Sequence, residues 1–306
     1  MSTDIALLNT VLGAGTDLAS ALGFSTGGGG QTSTLAELKQ LYKAEKGEME
    51  VKGKKMTVET IPGGSYSLTT SEGNTIYSET VTVRIFMQRF QYQRFEKFAA
   101  PIEGKDGKMY RTIMANSFKE GDLKDNYGGF NCGRPGGYIK DYDALSGPLR
   151  EIVKNTKRVM VVFGTVTMDN PTDKDGNPVD IDANTPFFMR IKNNKSFKAV
   201  ETATNAIVKR NSLPIQRLLQ LSHESVPLPN GELNFFIKAT DVGSVQITEE
   251  DAQTVTNFVE WVKFNNEMIL KLWKAVHEDA ITEEERDLMQ QFVEIGNDSV
   301  DDEIPF

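Results

Sequence analysis

Residues 82–94 alternate cations and aromatics: Thr82, Arg84, Phe86, Gln88, Phe90, Tyr92 and Arg94. Successive side chains of a strand point to opposite faces, so an extended segment here puts these residues on one side. Val81, Val83, Ile85 and Met87 fall on the other side and read as a core face. No acid interrupts the first set. Aromatic rings stack on unpaired bases for about 1–3 kcal/mol per base, with no demand on sequence. Arginines neutralise phosphates and can stack as well. The chemistry offered is capture of an unpaired nucleic-acid strand. A second reading packs Phe86, Phe90 and Tyr92 against another sheet. Past Met87 the core face turns polar at Arg89, Gln91 and Gln93. That change predicts a strand that projects beyond its core or bends at a bulge, and it adds Arg89 to the candidate contacts.

A second cluster at 127–140 holds Tyr127, Phe130, Arg134, Tyr138 and Lys140, with glycine pairs at 128–129 and 136–137. Glycines permit close backbone approach to a ligand, and the aromatics and cations extend a groove. A loop with incidental aromatics fits the same residues. Tyr110 and Arg111 are further candidates by type and neighbourhood.

Catalytic chemistry is poorly represented. The chain has one cysteine and two histidines, too few for a Cys-rich zinc site. Cys132 reads as an inert thiol, His223 as a strand residue and His277 as a helix residue beside an acidic stretch. Residues 169–182 hold Asp173, Asp175, Gly176, Asp180 and Asp182, yet aligning Gly176 with a calcium-loop glycine puts Pro171 at the first ligand position. A polar hairpin turn is the better reading. No catalytic residue, metal or cofactor is expected, and the protein is read as a non-enzyme.

The elements that must position these residues are mostly strands. Asp4 and the spacing of Ile5, Leu8, Leu12, Leu18 and Leu22 predict a short helix, followed by a linker at Gly27–Gly30. Thr34-Leu35-Ala36-Glu37 reads as a capping box opening a helix to about Lys46. Strands are predicted over 48–60, 75–98, 108–118, 158–169, 185–193, 215–227 and 232–246, and helices over 143–155 and 195–210. Thr248 and Asp251 cap a last long helix. Its apolar stripe is Val255, Phe258, Val259, Val262, Ile269, Trp273 and Val276.

The net charge of −9 is unevenly held. Residues 278–306 carry eleven Asp/Glu and one Arg, a net of −10, which leaves about +1 for residues 1–277. The body is near neutral and can carry a basic face. The terminus from Asn297 onward is expected to be disordered.

That terminus ends Asp301-Asp302-Glu303-Ile304-Pro305-Phe306. A basic pocket with an apolar floor can take such a tip, ring in the pocket and carboxylates on Arg or Lys. The tip closely resembles the C-terminal peptide of bacterial and phage single-stranded-DNA-binding proteins. The resemblance covers about six residues. It implies an oligonucleotide/oligosaccharide-binding (OB) barrel with added helices. It also implies a protein that coats and protects single-stranded DNA in replication, recombination and repair. Partner enzymes (polymerase, helicase, primase or nuclease) would dock on Asp301, Asp302, Glu303, Ile304, Pro305 and Phe306. The chain departs from bacterial members in lacking their long Gly/Gln/Pro-rich linker. It departs from the T-even phage proteins in lacking a Cys/His zinc site.

The expected fold is therefore mostly β, with an OB-like barrel core, a long C-terminal helix and an acidic tail. Residues 1–30 form the helical segment and linker, 31–280 the DNA-binding domain and 281–306 the tail. The compartment expected is the cytoplasm, that of a host bacterium if phage-encoded, with no membrane partner; self-association on DNA stays open. Two alternatives are a single-strand annealing recombination protein and a tail mimic that captures replication enzymes without touching DNA. A metal-dependent nuclease is a third.

Overall fold

The computed structural model describes residues 35–51, 54–102 and 105–278. The expectations for the N-terminal helix, the glycine linker and the acidic tip lie outside these residues. The described chain is mostly β, with one large mixed sheet, a two-stranded hairpin and three helices. It forms two compact units, whereas 31–280 reads from the sequence as one domain. The larger unit takes in residues up to Arg89 and Met160–Glu260, and the smaller takes in Phe90–Val159 and Trp261 onward.

In the larger unit the strands are β1 (Ala36–Gln40), β4 (Tyr66–Thr69), β5 (Thr75–Ser78), β9 (Thr185–Ile191), β10 (Arg217–Pro227), β11 (Leu233–Ser244), the first half of β6 (Val81–Ile102) and most of β8 (Thr156–Met168). The sheet runs β11-β10-β6-β8-β9-β1-β4-β5. The β1–β9 pair is parallel, and the β10–β11, β10–β6, β8–β9, β1–β4 and β4–β5 pairs are antiparallel. The hairpin β2 (Glu45–Val51) and β3 (Lys54–Ile61) stands outside this sheet. Strand β8 reads Val159-Met160-Val161-Val162-Phe163 and is buried from Val159 to Val166, as suits a strand covered on both faces. Gly164 follows because another backbone passes there. A Cβ at this position would lie 1.9 Å from the Arg84 carbonyl oxygen. Gly164→Ala should therefore destabilise the protein by about 1–3 kcal/mol, measured by urea denaturation.

The capping box at 34–37 does not open a helix. Residues 36–40 form β1, and Ala36, Leu38 and Gln40 alternate inward. The outward Glu37 takes an ion pair from Arg190 at 2.8 Å. Period-two burial outweighs the local capping signal. The single candidate strand 48–60 is the β2–β3 hairpin, and 75–98 divides into β5 and β6. The helix readings fare better. Helix α1 (Gly147–Asn155) and helix α2 (Asn194–Lys209) lie where expected. Helix α3 (Glu249–Glu278) starts on the foreseen box: Thr248 N–H donates to Asp251 Oδ2 at 2.8 Å, and Asp251 N–H donates to Thr248 Oγ1 at 3.2 Å.

Both outer strands of the sheet have other chain segments against them. Helix α2 begins at the Asn193 cap and buries Ser196, Val200, Thr204 and Ile207. The Ser196 hydroxyl accepts the Ile237 N–H of β11 at 2.9 Å. At the opposite end, Tyr77 of β5 exchanges two backbone hydrogen bonds with Thr172, at 2.8 and 2.9 Å. Thr172 precedes the polar turn foreseen at 173–177, where Asp173 Oδ1 accepts from the Asp175 and Asn177 amides. Gly176 supplies the left-handed residue of that turn, with φ +83°.

The smaller unit is built on the second half of β6, which pairs antiparallel with β7 (Lys105–Arg111). Its core is Tyr92, Ala115, Leu123 and Cys132, packed by Tyr110, Ile113 and Phe118. Ile113 also reaches Ile269 and Leu272 of α3. Asn266 holds that helix to the irregular segment after β7: its Oδ1 accepts the Met114 N–H at 2.7 Å and its Nδ2 donates to the Met114 carbonyl at 2.9 Å. The polar change after Met87 falls where β6 runs on from the larger unit into the smaller, between Arg89 and Phe90. Gln91 and Gln93 are buried, and Gln91 Nε2 donates to the Thr112 carbonyl at 3.1 Å. Gln93 Nε2 donates in turn to Gln91 Oε1, while Gln93 Oε1 is buried without a partner among the described residues. Among the described residues no helix is long and apolar enough to cross a membrane.

Candidate functional site

The alternating face of β6 divides into interior and surface residues. Arg84 is only 9% exposed. Its guanidinium makes a two-point pair with Asp251, at 2.9 and 2.8 Å, and also donates to the Ile215 carbonyl. Phe86 meets Phe258 edge-on at 6.0 Å and packs on Ile215, Ile247 and Val255. Tyr92 and Arg111 are buried in the smaller unit. The exposed face read for Arg84, Phe86 and Tyr92 is thus corrected, and so is Arg111: each fills an interior site. Arg89 is half-buried and donates to the Gln88 carbonyl at 2.9 Å.

What the structure does assemble lies in the smaller unit, where β6 and β7 set Arg94 opposite Tyr110 and Glu96 opposite Lys108. The Arg94 guanidinium sits 3.9 Å from the centre of the Tyr110 ring. Its Nε donates to the Cys132 carbonyl at 2.9 Å, and Nη1 donates to Glu96 at 2.8 Å. Tyr110 lies 4.7 Å from the Tyr127 ring, with the Lys108 ammonium 5.5 Å from that ring. Lys124 covers Trp273 at 4.2 Å, and Trp273 touches Phe130 at 6.1 Å and stacks with His277 at 4.4 Å. Phe118 collects Phe90 at 5.2 Å, Tyr92 at 5.0 Å and the Arg158 guanidinium at 4.4 Å. Arg134 stands 5.6 Å from the Tyr92 ring. Cation–aromatic pairs of significance occur about once per 70–80 residues in proteins, so this density within one small unit is unusual. Residues 90–159 hold thirteen Lys/Arg against nine Asp/Glu, whereas residues 261–306 hold four against twelve.

Local turns aim these side chains. Buried Asp125 accepts the amides of Tyr127 and Gly129 at 2.8 and 2.9 Å, which closes a tight turn and presents Tyr127. Gly128 is left-handed, and a Cβ on it would meet Val276 at 2.6 Å. A Cβ at Gly129 would meet Asp125, and one at Gly136 would meet Asp122. These three glycines answer internal packing, which corrects their reading as ligand-approach positions. Gly137, with φ +76°, has open space instead. It precedes Tyr138, which is 88% exposed, and Lys140 is exposed two residues on. Asn131, Cys132 and Gly133 are all left-handed, with φ 51°, 56° and 83°. A non-glycine residue held this way costs of order 1–3 kcal/mol, and such residues gather at functional sites. Here Asn131 anchors the turn by accepting the Leu123 amide and donating to Asp122. Phe130, just before it, stays 45% exposed.

Glu96 is the acid that pairs with Arg94. Hydrogen bonds from Arg94 and Tyr110 hold the Glu96 carboxyl below its ordinary range, and burial with Glu96 beside it raises the Tyr110 hydroxyl. Glu96 is therefore ionised at neutral pH and occupies part of Arg94. The pair's contribution to stability is present above the ordinary glutamate range and is lost as pH falls through the lowered value. Glu96→Gln should release Arg94 and strengthen anion binding several-fold at low salt, with the gain fading as salt rises. Titrating both proteins with a labelled anionic strand at two salt concentrations checks this.

Other sites carry less chemistry. Cys132 is fully buried, and burial followed by the charge of Asp125 pushes its thiol well up, the opposite of an activated nucleophile. A cavity of roughly 380 Å³ in the larger unit is lined by Tyr77, Ser78, Thr80, Asp169 and Thr172 among others. Tyr77 donates to Glu45 and Thr80 to Asp169, while the buried Ser65 hydroxyl that also lines it has no partner among the described residues. No group of three or more His, Cys, Asp or Glu able to hold a metal occurs among the described residues. Sequence reading missed Lys108, Phe118, Lys124, Arg158 and Trp273. Their signal was residue type alone, since each meets its partner across the fold. In comparisons with known proteins, no family model matches the chain, and no curated protein or solved structure matches it.

Proposed function

We propose that the protein binds single-stranded DNA, coats and protects it in replication, recombination and repair, and recruits partner enzymes through its acidic Ile-Pro-Phe tip, without catalysing a reaction itself. The observation that carries this reading is the cation–aromatic cluster around Arg94, Tyr110, Tyr127, Phe130 and Trp273. Phe130, 45% exposed, offers base-stacking surface, and exposed Lys108 offers phosphate charge, the two needs of an unpaired strand. Tyr138 and Lys140 add an exposed ring and cation on the loop that follows. The residues proposed for contact are therefore Phe90, Arg94, Tyr110, Phe130, Arg134, Tyr138 and Lys140, joined by Lys108, Lys124, Tyr127, Arg158 and Trp273. The OB-like barrel belongs to this proposal and rests on the resemblance of the tip. The sheet itself supports the coarser description, a mostly β body.

Fluorescence anisotropy of a labelled strand of about 30 nucleotides, with a matched duplex as control, tests the reading across a salt series. Tight binding to the single strand, weak binding to the duplex and a clear salt dependence are expected. Absence of single-strand binding would overturn the DNA-binding reading and leave the tip as a mimic that captures replication enzymes. Pairing of complementary strands in the same samples would mark an annealing protein.

A further inference from the structure

We infer that the outer face of α2 is a second contact for the phosphodiester backbone of single-stranded DNA, separate from the aromatic cluster; this rests on the proposed function. Basic residues are concentrated here. Residues 192–217 hold six Lys/Arg and one Asp/Glu, of which Arg210 and Arg217 pair with Asp241 of β11. Helix α2 turns Ser196, Val200, Thr204 and Ile207 inward. At 3.6 residues per turn, Lys195, Lys198, Thr202, Asn205 and Lys209 then fall along the opposite side. All five are exposed. The stripe spans about 21 Å at 1.5 Å per residue and carries cations with neutral hydrogen-bonding groups between them. Glu201 falls to one side of it.

The neighbouring strand extends this surface. Phe236 of β11 is half-buried, with the Lys195 ammonium 4.9 Å from its ring. Lys238 lies two residues on, so on the same face of the strand, and pairs with Glu224 at 3.6 Å. The Asn193 side chain already accepts the amides of Lys195 and Ser196, so it is the lysine stripe, not the helix terminus, that offers charge. A row of ammonium groups with no carboxylate in line with them suits a polyanion of repeating charge. Few aromatics accompany them, so the stripe tracks phosphates and does not read bases.

The test compares the full chain with K195E/K198E/K209E on labelled strands of about 15 and 60 nucleotides over a salt series. All three positions are exposed, and a circular-dichroism melt checks that the fold is kept. On the long strand the variant should bind at least ten-fold more weakly. The slope of log affinity against log salt should fall by about two, from about 0.7 counterions released per phosphate. The short strand, held by the aromatic cluster, should lose little. Unchanged long-strand affinity and slope, with normal binding by the unmodified protein, would overturn the stripe alone. Tighter binding by the variant would overturn it too, since the stripe would then be holding the acidic residues 279–306. Failure of the unmodified protein to bind either strand would remove the DNA reading and the stripe with it.

Discussion

Replacing Asp251 with alanine is expected to lower the free energy of unfolding by about 3–5 kcal/mol, read from urea denaturation. The loss has two sources. Arg84 would keep its charge in a site only 9% exposed, with the Ile215 carbonyl as its remaining described acceptor. Helix α3 would also lose the carboxylate that caps Thr248. Much of the penalty comes from stranding one charge, so removing both partners should cost less than removing one. Arg84→Met with Asp251→Leu should recover a large part of the single variant's loss. A double variant as unstable as Asp251→Ala would mean the pair holds the fold through geometry that apolar side chains do not supply. An unshifted urea midpoint in Asp251→Ala would refute the interior role of Arg84.

The second large effect concerns binding. Tyr127→Ala with Phe130→Ala should weaken single-strand DNA binding by about 100-fold or more. Each ring removed forfeits about 1–3 kcal/mol of stacking, and 1.4 kcal/mol is ten-fold in affinity. Phe130 is 45% exposed and Tyr127 sits on a surface turn, so the thermal transition should move by only a few degrees. Phe86→Leu supplies the contrast. It alters the packing on Phe258, Ile215 and Val255, so it should lower stability and leave the affinity of the folded protein unchanged. If Phe86→Leu abolished binding while the Tyr127/Phe130 variant bound normally, the groove would run along the face first read from the sequence.

That contrast shows where the sequence was legible. Periodicity exposed the core face Val81, Val83, Ile85 and Met87, and all four are buried. The Thr248–Asp251 box was a local signal and forms as read. Arg84 was misread because its partner Asp251 lies 167 positions away, and no spacing rule reaches that far. Separations almost as long hid Trp273 from Lys124 and Phe130. Leu35 to Gln40 failed for the opposite reason: a local capping pattern was present, but β4 and β9 flank the segment and hold it as a strand. Of the proposed contacts, Phe90 and Arg94 were read from strand alternation, Tyr127, Phe130, Arg134, Tyr138 and Lys140 from the 127–140 cluster, and Tyr110 from type and neighbourhood. Their assembly required the β6–β7 register and the turn at Asp125.

The outer strands have a consequence for assembly. A bare outer strand invites a second chain to continue the ladder, which is the route to domain swapping and fibrils. On β11 the Ile237 amide is already taken by Ser196, and on β5 Tyr77 is closed by Thr172. At these two strands an incoming chain would first have to displace helix α2 or peel away the 169–178 hairpin. If copies lie side by side on one nucleic-acid strand, as proposed, β5 and β11 would thus resist fusing into a shared sheet. Contacts between such neighbours would rest on side chains, which can be made and broken as the strand is covered and cleared.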